Sequence, residues 1–255
     1  MKIQSIQQIE KRLMKWKSIR NCGKTKEAFK KIQLNERKIK TGEFLNETVS
    51  EFARVSTQIF DTIGDFAFTY KEKQLSSIFL PAFFNLGYGT IQEVPTRRKK
   101  SGQESSHGWL DYWVQKDEKW VYLIELKHGW QFLNGKITEN SCKKIFKSID
   151  QLKNIRKPEI KELSTVETTY KISFIVLPVW RNINREEDIH EDDEYSTSLA
   201  ELEKTSKNII HKIGDAISWL GIWSIPERMQ YAFQPSHTKK LQTFSGVILI
   251  ATIVP

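Results

Sequence analysis

The sequence predicts an α/β protein in which helices cover both faces of a central β-sheet. Segments with apolar residues at helical spacing alternate along the chain with short, strongly apolar runs that favour strands. Two of these runs, residues 108–114 and 120–128, carry apolar side chains on both strand faces, as expected of a sheet that is covered on two sides. A chain of 255 residues is long enough to bury such a core in one domain.

Positive charge is concentrated in the first 40 residues, which contain 13 Lys or Arg residues and three acids. The rest of the chain is nearly neutral, so this segment accounts for almost all of the net charge of +9. We predict a basic helical segment over residues 1–42, because apolar side chains recur there at helical spacing (Ile3, Ile6, Ile9, Leu13 and Trp16). Such a segment suits contacts with nucleic-acid phosphates, and a solvated helical face is the alternative.

Two helices and a short strand are predicted before residue 100. The first helix covers residues 43–68, with buried candidates Phe52, Val55, Phe60, Ile63 and Phe66. The second opens at Lys71, and Pro81 is expected to kink or shorten it. Residues 91–95 predict a short strand that Pro95 ends. The second helix has apolar residues at helical spacing, namely Leu75, Ile78, Phe79, Ala82 and Phe83.

Helices and strands also alternate after residue 130. Thr138 is a candidate N-cap for a helix that extends to Arg156, with a buried stripe of Cys142, Ile145, Phe146, Ile149 and Leu152. Residues 171–178 and 245–253 predict buried strands, and the second is expected to join the central sheet. Residues 196–220 predict a long amphipathic helix with Leu199, Leu202, Ile209, Ile210, Ile213, Ile217 and Leu220 on its apolar face.

Charged residues interrupt the two apolar runs on either side of residue 117. Asp111 lies in the first run, and the second ends on Glu125, Leu126 and Lys127. Burying a charge is costly unless it is paired or bound to a metal ion, and a divalent cation is the simplest compensation. Acid-x-Lys patterns occur four times in the chain. Only the one at Glu125 ends an apolar strand, while the other three lie in polar segments where solvation explains them.

The two runs predict a β-hairpin whose register decides whether the acids meet. If residues 117–119 form a three-residue loop, Asp111 lies directly opposite Glu125, with β-carbons roughly 5 Å apart. A two- or four-residue loop would shift the register and place the acids on opposite faces. Glu125 and Lys127 share one face in either case, because side chains alternate along a strand.

Asp111 followed by Glu125-x-Lys127 resembles the PD-(D/E)xK superfamily of metal-dependent nucleases. Asp111 matches the first acid of the motif, and Leu110 stands where the motif has proline. The resemblance covers residues 66–180 by order of elements and implies a restriction-endonuclease-like core with a mixed sheet, here over residues 43–255. The family often carries a glutamate on its first helix, and Glu72 is the best match.

The resemblance also implies a chemistry for these residues. Asp111, Glu125, the Leu126 carbonyl and Glu72 would bind Mg²⁺ or Mn²⁺ through oxygen ligands. Lys127 would orient or deprotonate the attacking water and stabilise the transition state. The reaction implied is hydrolysis of phosphodiester bonds, with DNA as the expected substrate and a DNA endonuclease as the expected activity. Formation of a homodimer is a possibility that the sequence leaves open.

Other interpretations are also compatible with these residues. The hairpin charges could form only a cross-strand salt bridge in an interaction or regulatory protein, or the fold could bind nucleic acid without cleaving it. Glu72 could simply be a favourable acid in the first turn of a helix. Lys144 and Gln151 are expected at the surface. The tryptophans near the motif are Trp109, Trp113, Trp120 and Trp130. Trp109 and Trp113 could stack on exposed bases, but core packing is the expected role. The acidic run at residues 186–194 could bind a cation or mimic phosphate, but a solvated loop is expected.

Composition excludes several other classes. No apolar run of 18 residues and no secretory signal are found, so a cytoplasmic protein that does not enter the membrane is expected. Two cysteines, Cys22 and Cys142, provide neither a disulfide framework nor a zinc site. No helix-turn-helix, zinc finger or nucleotide-binding loop is evident.

Overall fold

The protein is described from a computed structural model. It describes residues 17–19, 22–29, 36–100, 103–155, 158–159, 166, 168–183, 197–234 and 240–255. The helix predicted from Ile3 to Trp16 and the acidic run 186–194 lie outside the described residues.

Within the described residues, nine strands form one mixed sheet. Its strand order is β1-β2-β8-β9-β7-β5-β4-β3, with β6 also paired to β7. The pairs β5–β7 and β6–β7 are parallel, and the other neighbours are antiparallel. The strands are β1 (Lys17–Ile19), β2 (Gly23–Phe29), β3 (Gly89–Lys100), β4 (Gln103–Asp117), β5 (Trp120–His128), β6 (Gln131–Phe132), β7 (Thr168–Ile183), β8 (Trp219–Ser224) and β9 (Leu241–Val254).

Helices cover both faces of this sheet, as the sequence predicts. The described ranges contain α1 (Glu36–Ile63), α2 (Ser76–Asn85), α3 (Glu139–Lys153) and α4 (Leu199–Ile213). One apolar core joins α1 and α2 to the sheet through residues such as Phe52 and Phe79. Ile145 and Ile209, from α3 and α4, belong to a second core on the opposite face. The α/β prediction is therefore confirmed.

Local sequence signals explain where α3 and α4 begin. The Thr138 hydroxyl accepts a hydrogen bond from the Ser141 amide, and Ser198 and Glu201 form a capping box. Both arrangements satisfy amide groups that the first turn of a helix leaves without partners. The predicted cap at Thr138 is confirmed.

Several predicted boundaries are wrong. The predicted helix 43–68 ends at Ile63, and the predicted helix 196–220 ends at Ile213. Leu220 lies instead on β8, a strand on which every residue is buried. Such a strand shows no alternation of polar and apolar residues, so its apolar residues extended the helical pattern of α4.

Other expectations also need correction. Ile63 and Trp109, which were expected to be buried, are 66% and 62% exposed. Pro95 does not end a strand but lies inside β3, which is at the edge of the described sheet, where proline is tolerated. Phe146 is 53% exposed and is not part of the buried stripe of α3.

The described part of the segment 1–42 also differs from the helical prediction. Its strands β1 and β2 pair with each other, and β2 continues the sheet beside β8. Gly23 begins β2 with a positive φ of 86°. A β-carbon there would lie 2.3 Å from the Ser224 carbonyl oxygen, so this close approach requires glycine.

Candidate active site

The hairpin of β4 and β5 has the register that the sequence predicts, although its loop differs. Asp117 pairs with Trp120, so the loop has two residues, and a register shift follows between Gln115 and Asp117. This irregularity restores the register that a three-residue loop would give, so Tyr112 lies opposite Ile124. The loop is therefore not the three-residue loop on which the predicted register depended, but the pair of Tyr112 and Ile124 agrees with that register.

Beyond the Tyr112–Ile124 pair, Asp111 contacts β5 through its side chain. Its Oδ2 atom accepts a hydrogen bond of 2.6 Å from the Leu126 amide. On the other side of β4, Glu93 of β3 has a φ of 53°, in a region that residues other than glycine adopt at a cost. Glu93 lies between the pairs Gln92–Tyr112 and Val94–Leu110, so this strained residue is beside Asp111.

Lys127 lies at the centre of three carboxylates. Its Nζ atom is 3.1 Å from Glu125 Oε1, 3.4 Å from Glu72 Oε1 and 3.6 Å from Asp111 Oδ2. The same ammonium donates a hydrogen bond of 2.7 Å to the Leu126 carbonyl. The structure thus brings together all the residues that the sequence singled out for the site.

Glu72 reaches this cluster from a separate part of the chain. It begins the short 3-10 helix Glu72–Leu75, which leads directly into α2. Its Oε2 atom accepts a hydrogen bond of 3.3 Å from the His128 amide. Glu72 is therefore more than a favourable acid in a first turn, because its carboxylate contacts both Lys127 and the end of β5.

The cluster is buried at one end and open to solvent at the other. The side chain of Glu125 is 3% exposed and that of Lys127 is 11% exposed. The side chains of Asp111 and Glu72 are 31% and 41% exposed. A molecule from solvent therefore meets Asp111 and Glu72 before it meets Glu125.

The charges in the cluster shift the titration of Asp111 and Lys127. Burial and the nearby Glu125 carboxylate raise the pKa of Asp111 to about 6, although Lys127 opposes this. Burial alone would lower the pKa of Lys127, but the carboxylates of Glu125, Asp111 and Glu72 outweigh it and the net shift is upward. Lys127 is thus an ammonium ion at neutral pH. With all three acids ionised, the four side chains carry a net charge of −2.

His128 and Lys144 hold the end of β5 in place. Lys144 donates a hydrogen bond of 2.7 Å from α3 to the His128 carbonyl. The His128 Nε2 atom lies 2.8 Å from the Phe68 carbonyl oxygen, and burial lowers the pKa of this imidazole. Lys144 was expected at the surface. Its contact with β5 depends on how α3 packs, which the sequence pattern does not show.

A cavity of about 590 Å³ lies beside the cluster. Six of its lining residues are aromatic: Tyr70, Trp130, Trp180, Tyr231, Phe233 and Phe244. Trp130 closely follows the motif in the sequence and was expected to pack in the core. Trp130 is instead 38% exposed. The other walls come from distant segments, and no local pattern connects them.

Within the described ranges, no group of three or more His, Cys, Asp or Glu side chains is arranged to hold a metal ion. The space between the three carboxylates is taken by the Lys127 ammonium, which lies within 3.6 Å of an oxygen atom of each. The oxygens that the resemblance assigns to metal binding are therefore close together but are engaged by lysine.

The chain matches no protein-family model, and comparisons with curated proteins and with solved structures also give no match. Among the helices of the described ranges, none is both long and apolar enough to cross a membrane.

Proposed function

We propose that this protein is a metal-dependent nuclease that hydrolyses phosphodiester bonds, with DNA as its substrate. The observation that carries the proposal is the convergence of Asp111, Glu125, Glu72 and Lys127 where β4 separates from β5. Three segments of the chain supply these groups, and their surplus of negative charge is costly to bury without a compensating cation. Structural ion pairs do not need such a surplus.

The order of elements around the cluster supports a restriction-endonuclease-like core. The PD-(D/E)xK resemblance implies a helix, three antiparallel strands, a second helix and a further strand. Here α2 precedes the antiparallel strands β3, β4 and β5, and α3 then leads to β7, which pairs with β5 in parallel. The three motif residues lie at the end of this hairpin that is remote from its turn.

The donor set fits a hard divalent cation such as Mg²⁺ or Mn²⁺. The carboxylates of Asp111, Glu125 and Glu72 and the Leu126 carbonyl are oxygen donors of the kind these ions prefer. A divalent cation would also balance the net charge of −2 on the cluster. When bound, the metal would supply Lewis-acid stabilisation of phosphate charge and acidify a water molecule.

The chain's own residues have distinct roles in this proposal. Glu125 is almost fully buried and provides a fixed negative charge, while Asp111 and Glu72 face the solvent from which a phosphodiester arrives. Lys127, as an ammonium ion, donates hydrogen bonds to the phosphate oxygens on which charge develops and orients the attacking water. Its raised pKa favours this electrostatic role over that of a general base.

Cleavage of plasmid and single-stranded DNA in Mg²⁺ or Mn²⁺ tests the proposal. Wild-type protein is expected to cleave, whereas Lys127→Ala and Asp111→Ala each reduce the rate by about 100-fold or more, as removal of one charge-stabilising group typically does. The hairpin offers a matched control, because Asp117 and Lys119 form another acid-x-Lys pair in its exposed turn. The double variant Asp117→Ala/Lys119→Ala is expected to cleave like the wild type.

One observation favours a second candidate function, a nucleic-acid-binding protein without catalysis. Lys127 already contacts all three carboxylates. Its ammonium would therefore compete with a metal ion for these oxygens. DNA binding that weakens with salt, without cleavage in either metal, would support this alternative and overturn the nuclease. Equal cleavage by Lys127→Ala and the wild type would remove the catalytic assignment of the cluster.

A further inference from the structure

The aromatic cavity beside the candidate active site has the properties of a binding site for a flat ring. Its volume of about 590 Å³ falls in the range of about 300–1,000 Å³ that is typical of ligand pockets. Tyr70 and Trp130 at its walls are 56% and 38% exposed, so the cavity is accessible from solvent. We propose that it holds an unstacked nucleobase of the nucleic acid that the neighbouring site acts on.

The walls provide aromatic faces that are nearly parallel. Phe244 stacks on Phe233 with ring centroids 4.8 Å apart and an angle of 11° between the planes. The Trp130 ring also stacks on Phe244, with centroids 6.0 Å apart and an angle of 26° between the planes. Because every nucleobase has a π-face, aromatic side chains in such an arrangement bind bases by stacking, with little dependence on sequence.

Asp65 adds a polar group to these walls. Its carboxylate accepts hydrogen bonds from the Tyr70 hydroxyl, the Tyr231 hydroxyl and the Phe66 amide. A carboxylate offers about four acceptor positions, so one is left for a ligand that donates an N–H. The exocyclic amino groups of adenine, cytosine and guanine can fill it, whereas the N3–H donor of thymine lies between two carbonyl oxygens that repel a carboxylate.

The cavity and the carboxylate cluster share structural elements. Tyr70 lies two residues before Glu72, and Trp130 lies two residues after His128, whose amide donates to Glu72. The His128 ring also packs edge-on against Trp130, with centroids 4.9 Å apart. A strand with one base in the cavity would therefore have its neighbouring backbone close to Asp111 and Lys127.

The cavity would bind the substrate of the proposed nuclease, so this assignment rests on the proposed function. Only nucleic acid with an unstacked base can occupy such a cavity. The base is either part of a single strand or flipped out of a duplex. An amino-bearing base is preferred to thymine. Phosphate contacts alone would give neither preference, because they carry no information about bases.

Binding of short fluorescein-labelled strands, measured by anisotropy in EDTA, tests the inference without cleavage. The probes are oligo(dC), oligo(dT) and an abasic oligomer of equal length, which all carry the same phosphates. Wild-type protein is expected to bind oligo(dC) roughly 10- to 100-fold more tightly than the abasic strand, as loss of base stacking implies. Oligo(dT) is expected to bind with intermediate affinity.

Variants localise the effect to the cavity. Trp130→Ala is expected to bring the affinity for oligo(dC) close to that for the abasic strand. Tyr70→Ala, at a more exposed position, serves the same purpose if Trp130→Ala does not fold. Asp65→Ala is expected to abolish the preference for oligo(dC) over oligo(dT). Phe84→Ala is the control, because Phe84 is 79% exposed on α2 and does not line the cavity.

The outcomes separate this inference from the nuclease itself. Metal-dependent cleavage together with equal binding of all three strands would overturn the base site and leave the nuclease. Base-dependent binding that Trp130→Ala removes, without cleavage of any substrate, would support the site and overturn the nuclease. An aromatic cavity with a carboxylate could also hold a quaternary ammonium group. Binding of a trimethyl-lysine peptide in place of the oligonucleotides would overturn the assignment to a base.

Discussion

Asp111 is the residue in the cluster whose titration matters most near neutral pH. Its pKa of about 6 lies above the ordinary value of 3.8 because of burial first and Glu125 second. Between these two pH values the folded protein binds more protons at Asp111 than the unfolded chain does. The free energy of unfolding therefore falls as the pH rises from about 4 to about 6. Asp111 costs stability at neutral pH, as functional residues often do.

Asp111→Asn is expected to stabilise the protein at pH 8 and to have little effect at pH 4. The amide removes the like-charge contact with Glu125, while its carbonyl can still accept the Leu126 amide hydrogen. The gain in the free energy of unfolding at pH 8 is expected to be about 1–2 kcal/mol, less than the full pKa shift implies because the group is partly solvated.

Urea denaturation at the two pH values measures this difference. Glu93→Gln, which changes an exposed acid on the neighbouring strand, is the matched control. A lower stability of Asp111→Asn at pH 8 would mean that attraction to Lys127 outweighs the burial of Asp111.

Most of the residues of the candidate site could be predicted because their types conflict with their surroundings. Asp111, Glu125 and Lys127 are charged residues in apolar strands, and that conflict is visible in the sequence. Glu72 was found only through the family resemblance. Lys144 was missed because its contact with the His128 carbonyl depends on how α3 packs on the sheet. The aromatic cavity was missed because its walls come from segments that are far apart in the sequence.

At the scale of elements, α3 contacts the candidate site, and the cap at its N-terminus helps to hold it there. Its N-terminus is held by Thr138, and one turn into the helix Lys144 donates to the carbonyl of His128. The position of α3 therefore affects the end of β5 that carries Glu125 and Lys127. Loss of the cap is expected to loosen both the helix and this contact.

Thr138→Ala is expected to lower the free energy of unfolding by about 1 kcal/mol, because the Ser141 amide loses its acceptor. Thr138→Ser keeps a hydroxyl and is expected to retain most of the stability. Thermal or urea denaturation of the two variants measures the effect. Equal stability of Thr138→Ala and Thr138→Ser would show that the cap contributes nothing.

Elements with a cap, a clear apolar stripe or a long apolar run of their own were predicted better than β8. Residues 171–178 and 245–253 lie within β7 and β9, as predicted. The helix cap at Thr138 and the apolar face of α2 agree with the structure. The strand β8 was missed because it is buried on both faces and closely follows α4, so its apolar residues continue the helical pattern of that helix. The length of the hairpin loop could not be predicted, because the irregularity at Lys116 depends on pairing with β5 and has no turn signature of its own.

Across the whole molecule, the two halves of the chain are joined at β2 and β8. The Trp223 indole donates a hydrogen bond of 2.7 Å to the Cys22 carbonyl, although 201 positions separate the two residues. Lys26 of β2 also pairs with Glu203 of α4 at 2.6 Å, and its side chain is only 9% exposed. A buried ion pair leaves a costly charge when one partner is removed.

Glu203→Ala is therefore expected to lower the free energy of unfolding by about 2–3 kcal/mol, because the ammonium of Lys26 stays buried. Lys26→Met, which removes the charge and keeps an apolar chain of similar length, is expected to cost less than about 1 kcal/mol. Urea denaturation compares the two. The exposed pair of Asp61 and Arg228 is the control, and Asp61→Ala is expected to leave the stability nearly unchanged. Equal losses in Glu203→Ala and Lys26→Met would contradict this account.

The place of β2 in the sheet has a consequence for folding during synthesis. Chains emerge from the ribosome N-terminus first, so β2 leaves long before its partner β8 has been made. Until then, one edge of the β1–β2 hairpin has no strand beside it, and a free edge can recruit other chains. Contacts between such distant segments also form slowly. We therefore expect nascent chains that stop before residue 219 to aggregate more readily than the full-length chain.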